Sequence, residues 1–366
     1  MQNRATVLFR PTALVLFALF VPLGLIAQVQ VTSVVYNSLS NGANVTSNKI
    51  TYANDYNAVS YIDTANGNYN FTNAPGASVS FRRSTATNNN ATVFYQYSGT
   101  YSSSSDTVYA KGDSTPTLNE VMLSNDLTQG LRNPFANLNS GAADSTTSNI
   151  ERIDFSLPNF TVTNVNDGFV FFDLENYGNN GDGFRIAAFT ATGTVNGIAG
   201  APTTYANTGL LVAPDSFGTN VATPTGGDVT YMRASTSGGD NLNSSQTLAS
   251  IDTSSDGTLT SSDLVLVGIL VRFSDLGLSV GSVIQGYSLI ASDTVVAAAS
   301  DLVNWRNSSV YLTNTDATSS AGNMDFMGFG AQISRYVPEP STYGLMFSGA
   351  ACALAGWRQL RRRAVA

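Results

Sequence analysis

The chain has 366 residues, a net charge of −8, no His, one Cys and only 11% charged residues. Without His it cannot build a Ser-His-Asp or Cys-His nucleophile or a His-ligated metal site. With Cys352 alone it has no internal disulfide and no Cys-rich cluster.

Ser, Thr and Asn make up just under a third of the residues, and Lys is found only at Lys49 and Lys111. Strong helix formers and charged helix pairs are scarce, which suits a turn-rich, exported all-β protein.

The amino terminus reads as a secretory signal peptide over residues 1–27. Arg4 and Arg10 precede an apolar run at 12–26, broken by Pro22 and Gly24. Small residues allow a cut near Ala27 after this helical signal, leaving Gln28 as the new amino terminus of the body. No Cys follows the run, so lipoprotein attachment is not available.

Residues 28–336 read as an all-β body, an antiparallel β-sandwich of jelly-roll-like form. Apolar Ile153, Phe155 and Leu157 alternate with Asp154 and Ser156, and Val283, Tyr287 and Leu289 share one parity. Residues 92–97 and 107–109 are aromatic, β-branched runs separated by a hairpin-like connection. Residues 168–174 form an aromatic run expected to be buried on both faces. Turn dipeptides punctuate the chain, among them Asn66-Gly67, Asp167-Gly168, Asp182-Gly183, Asn196-Gly197 and Asp256-Gly257. Leu118, Val121, Met122, Leu127 and Leu131 approximate helical spacing, with Thr117 as a cap, and predict one or two helical turns. The polar stretch 140–149 reads as a loop of one large domain, and a boundary between two β-domains is the alternative.

The sharpest local pattern in the body is Asp252, Ser254, Asp256, Thr258 and Asp263. Their oxygens fall at positions of a twelve-residue loop with Gly257 at its sixth place, which is EF-hand-loop spacing and similar to the dockerin variant. Calcium is therefore the one cofactor the sequence suggests. The plainer reading is an Asp-Gly hairpin turn, because residues 265–273 read as a buried strand and no helix is evident before the loop. Asn176, Asn179, Asn180 and Asp182 form a second oxygen-rich cluster, read first as a solvated glycine-rich loop.

The body has three Glu, at Glu120, Glu151 and Glu175, and any carboxylate pair for glycoside hydrolysis would draw on Glu151 or Glu175. Tyr52, Tyr56, Tyr61 and Tyr69 could stack on sugars, with strand packing the plainer reading. Residues 28–337 hold 24 acids against 11 bases. That balance argues against nucleic acid and against docking on anionic lipid by charge.

At the carboxyl end, Val337, Pro338, Glu339 and Pro340 lead into an apolar stretch at 343–357. Arg358, Arg361, Arg362 and Arg363 follow and mark the cytoplasmic side of a short transmembrane helix. This order of box, apolar stretch and arginine cluster over 337–363 resembles the PEP-CTERM sorting signal of Gram-negative bacteria. The resemblance implies processing by an exosortase-type enzyme, with the Pro-Glu-Pro residues as recognised substrate positions. It also implies an inner-membrane intermediate, then the cell surface or an exopolysaccharide-rich biofilm matrix. The expectation is a non-enzymatic structural or adhesive protein. A carbohydrate-binding module for exopolysaccharide and a glycan-acting hydrolase are the rival readings.

Overall fold

The computed structural model describes residues 28–38, 44–46, 49–51, 57–84, 91–97, 122–123, 127, 129–138, 149–176, 181–218, 223–225, 228–234, 241–242, 250–251, 264–316, 319–328 and 330–338. These residues are overwhelmingly strand and turn, so the all-β expectation holds.

In chain order the strands begin with β1 (Val29–Ser38), β2 (Asn44–Thr46), β3 (Lys49–Thr51), β4 (Asn57–Thr64), β5 (Gly67–Asn73), β6 (Ser78–Arg82) and β7 (Ala91–Tyr97). They continue with β8 (Gln129–Arg132), β9 (Arg152–Thr161), β10 (Gly168–Asn176), β11 (Phe184–Val195), β12 (Ile198–Tyr205), β13 (Leu210–Val212) and β14 (Thr223–Thr225). The last are β15 (Asp228–Ala234), β16 (Asn241–Leu242), β17 (Ser250–Ile251), β18 (Leu264–Arg272), β19 (Val283–Ala291), β20 (Phe326–Met327) and β21 (Gln332–Val337).

Six strands close into a barrel. The antiparallel ladder runs β10-β18-β1-β4-β5-β21 and returns to β10 where Gly168 faces Ser334. Closure covers the edge that β21 would otherwise expose. Val31, Val34, Ile62, Val170, Phe172, Leu266 and Leu270 belong to the cluster that fills the barrel. Gly268 lies mid-strand because a Cβ there would come within 2.8 Å of the Phe172 ring. The remaining strands of this sheet continue from β10 through β20, β8, β7, β15 and β17, with β2 on β1.

A second sheet, ordered β12-β11-β19-β9-β6-β16 with β13 on β11, packs on the barrel's outer wall. Phe169 and Phe171 of β10 turn outward to meet it, with ring centres 4.2 Å from Tyr287 and 5.0 Å from Phe184. The run at 168–174 is thus buried on both faces, as its composition predicts. The other face of this sheet is covered by residues 292–316, which bring Leu302, Trp305, Val310 and Tyr311 onto Ala187, Phe189, Tyr205 and Ile290.

Local expectations fare unequally. Asn196-Gly197 does turn the β11–β12 hairpin, with φ of 52° and 81°, the positive pair that a two-residue turn needs. Residues 265–273 do read as strand, since β18 covers most of them. Helical backbone is confined, among the described part of the 117–131 segment, to Met122 and Leu123, and Leu131 belongs to β8. In place of two open facing sheets there is a closed barrel with a sheet on its flank, because β21 returns to β10. The stretches expected to form a signal helix and a transmembrane helix, and residues 107–109, lie outside the described residues. Among the described residues no helix is long and apolar enough to cross a membrane.

Candidate functional site

The Val337-Pro338-Glu339-Pro340 run begins where the barrel ends. β21 pairs with β5 along its whole length, finishing with Val337 opposite Asn68. Just before that point the chain is clamped by Asp167, from the loop between β9 and β10. Its carboxylate accepts a hydrogen bond from the Tyr336 backbone N–H (2.9 Å) and another from Arg335 Nη1 (2.8 Å). The Arg335 guanidinium also lies 5.4 Å from the centre of the Phe160 ring. Tyr336 packs on Tyr69 with ring centres 5.5 Å apart. Gly67, at φ +123°, leaves room for that ring, since a Cβ there would sit 2.9 Å from Tyr336.

Val337 is 37% exposed and Pro338 is the last described residue. Glu339, Pro340, Arg358, Arg361, Arg362, Arg363 and Ala27 lie outside the described residues. Asp167 was legible only as half of a turn dipeptide, because its partners are more than 160 residues away in sequence.

The body's carboxylates depart from expectation. The alternation in β9 predicts a solvent-facing Asp154, yet Asp154 is 1% exposed. The reason is the 292–316 segment, which covers that face. Asp154 meets Arg82 Nε at 2.8 Å and Arg152 Nε at 2.7 Å, and accepts a hydrogen bond from Ser288 Oγ at 2.7 Å. Burial works to raise its pKa, but Arg152 and Arg82 outweigh it and hold the carboxyl below the usual range.

Glu151 sits at the start of the same strand, 4% exposed. It accepts hydrogen bonds from the Ser84 hydroxyl and, at 3.2 Å, the Ser84 backbone N–H. Burial pushes it up to about 7, opposed by the Ser84 bonds and the Arg83 charge and reinforced by Asp293. Such a group can hold a proton near neutrality. Its Oε1, however, is taken up by Ser84 and the side chain is buried, whereas a glycan-cleaving acid must reach a sugar. The side chains of Glu120 and Glu175 lie outside the described residues.

All five residues of the calcium-like loop, Asp252, Ser254, Asp256, Thr258 and Asp263, lie outside the described residues. So do Asn179 and Asn180. Of the second cluster, Asp182 is buried rather than solvated. Its backbone N–H donates to Asp173 Oδ2 at 2.8 Å, while the Asp325 N–H donates to Asp173 Oδ1 at 2.9 Å. Asp173 thus ties β10 to the loop that follows it and to the segment before β20, 152 residues away. Among the described residues no group of three His, Cys, Asp or Glu side chains is arranged to hold a metal ion. Tyr52 and Tyr56 lie outside the described residues. Tyr69 is packed within the barrel cluster, and Tyr61 is half-buried on β4.

No family model, no curated protein and no solved structure matches this chain.

Proposed function

We propose that this chain is an exported, non-enzymatic surface or matrix protein, sorted through its PEP-CTERM-like carboxyl end. In this reading residues 1–27 are a signal peptide and 28–336 form the exported β body. Residues 337–363 hold the body at the inner membrane until an exosortase-type enzyme acts. The observation that carries the reading is the order of Val337, Pro338, Glu339 and Pro340, the uncharged 343–357 stretch and the arginines through Arg363. Two prolines keep the box extended and stop the following helix from growing into it, so an enzyme can reach it.

The place of the clamp supports the same reading. Asp167 secures Arg335 and Tyr336, and β21 ends on Val337, the first residue of the box. A cut at or beyond Pro338 would release the body without disturbing a strand. The acidic balance of residues 28–337 favours solubility outside the cell, and exopolysaccharide is the partner we assign to the body. The burial of Glu151 and Asp154 supports a structural role for both.

Replacing Pro338, Glu339 and Pro340 together by Ala tests the sorting role. Sorting predicts that the full-length protein then accumulates in the inner membrane and is lost from the surface fraction. An unchanged distribution between the two fractions would refute it.

A further inference from the structure

Residues 292–316 form a strap whose two ends meet. Thr315 Oγ1 donates to Asp293 Oδ2 at 2.8 Å, and the Val295 N–H donates to the Val310 carbonyl at 2.9 Å. Beyond this neck the strap lays Leu302, Trp305, Val310 and Tyr311 on Phe189, Tyr205 and Ile290. It contributes no strand to the sheets. It can therefore lift about its neck while the ladders beneath it stay paired.

Glu151 is buried where the strap meets the sheet, and one peptide unit joins the two. The Ser84 N–H donates to Glu151 Oε1 at 3.2 Å, and the carbonyl of the same unit, that of Arg83, accepts from Trp305 Nε1 at 3.0 Å. Charged and titratable groups face Glu151 from each side. Arg83 comes from the segment after β6, Asp293 from the neck of the strap and Tyr311 from within it. Arg152 and Asp154 follow in β9 and pair with each other. Among the described residues, Asp293 Oδ1 is enclosed and takes no hydrogen bond from another residue. Two carboxyl groups thus meet at the neck.

We propose that this strap is a lid governed by the proton on Glu151, closed while the carboxyl is protonated and released as it ionises. Closing the lid takes Glu151 out of water, which disfavours the ionised form, and the charge of Asp293 acts in the same sense. The Ser84 bonds and Arg83 oppose this, but burial prevails and pushes the group up to about 7 from its ordinary 4.5. The closed lid therefore holds the proton more tightly than an open one, and ionisation favours opening. Closure is firmest below about pH 4.5 and weakens as pH rises through 7. The neighbours do not share the change. Asp154 stays below the usual carboxylate range, and burial keeps Tyr205 and Tyr311 protonated well above neutrality. An open lid uncovers Phe189, Tyr205 and Ile290 beside the Arg82–Asp154–Arg152 cluster.

Peptide-resolved hydrogen exchange of the full-length chain, in steps from pH 5.5 to 8.5 and corrected for intrinsic exchange rates, tests the lid. A rise in pKa from 4.5 to about 7 on closing corresponds to a loss of protection on the order of 30-fold across that interval. The loss is expected in residues 299–311. Amides of β10 and β18 should remain at least tenfold better protected than these at pH 8.5. Equal protection of strap and barrel at every pH would overturn the lid, because the strap would then leave only with the whole fold.

Two variants assign the proton. Glu151→Gln cannot ionise, so protection of its strap should stay level across the interval. A loss as large as in the wild type would overturn the role of Glu151. Asp293→Asn decides the matter should Glu151→Gln not fold. It removes the like charge from the neck, so the loss of protection should move to lower pH. A loss centred at the wild-type pH would overturn the pairing of the two carboxyl groups.

Discussion

The Arg152 guanidinium lies 4.9 Å from the centre of the Trp305 ring, and both side chains are wholly buried. Arg82 approaches the same ring at 5.3 Å, and Trp305 Nε1 donates to the Arg83 carbonyl at 3.0 Å. One indole thus covers two buried cations and caps a third residue's backbone. Trp305→Ala should destabilise the fold by about 3–5 kcal/mol, through lost packing and lost cover for the cations. Trp305→Phe keeps an aromatic face and loses the Nε1 bond, so about 1–2 kcal/mol is expected. Urea unfolding of the purified variants measures the order, and equal losses would contradict it.

Asp154 is the counter-charge to this cluster. Asp154→Asn keeps the shape and removes the charge, leaving Arg82 and Arg152 buried without their carboxylate. Breaking a buried pair in this way costs about 3–5 kcal/mol. The variant should unfold at distinctly lower urea with an unchanged slope, and a wild-type midpoint would show that the cluster is not held by charge.

Glu151 makes stability depend on pH. Its folded pKa, about 7, is above its ordinary value of 4.5, so between those values the folded state holds more of this proton than the unfolded chain. Its contribution is present at or below about pH 4.5 and is lost as pH rises through 7. The shift corresponds to at most about 3 kcal/mol. Glu151→Gln cannot ionise. The wild type should lose stability relative to this variant between pH 5 and 8, and parallel pH profiles for the two proteins would contradict the assignment.

Asp167→Ala removes the acceptor for Arg335 and for the Tyr336 N–H. A loss of about 2 kcal/mol is expected for such charge-assisted bonds. Cleavage by an added protease within 335–338 should also become faster than in the wild type. If cleavage there is unchanged, Asp167 is not the clamp.

Much of the secondary structure was legible because period-two alternation and turn chemistry are local. Phe155 and Tyr287 were readable as inward residues, and they stack at 4.8 Å between the sheets. Asn196-Gly197 was readable as a hairpin. The burial of Asp154 was not, because its cover arrives late in the chain: Arg152 reaches the Leu302 carbonyl, 150 residues further on. Barrel closure was hidden for the same reason, since it depends on Gly168 meeting Ser334. Of the candidate site, the Val337-Pro338-Glu339-Pro340 run is contiguous and was visible at once. The Asp167 clamp beside it joins residues that meet only in the folded barrel.

Export and sorting through the carboxyl end stand as the proposed function of the chain. The most direct measurement is mass spectrometry of the protein's carboxyl terminus, recovered separately from inner membrane, outer surface and matrix of the native cells. Sorting predicts a surface or matrix form that ends near residues 338–342 and lacks Arg361, Arg362 and Arg363. An intact arginine-rich end confined to the inner membrane would contradict it.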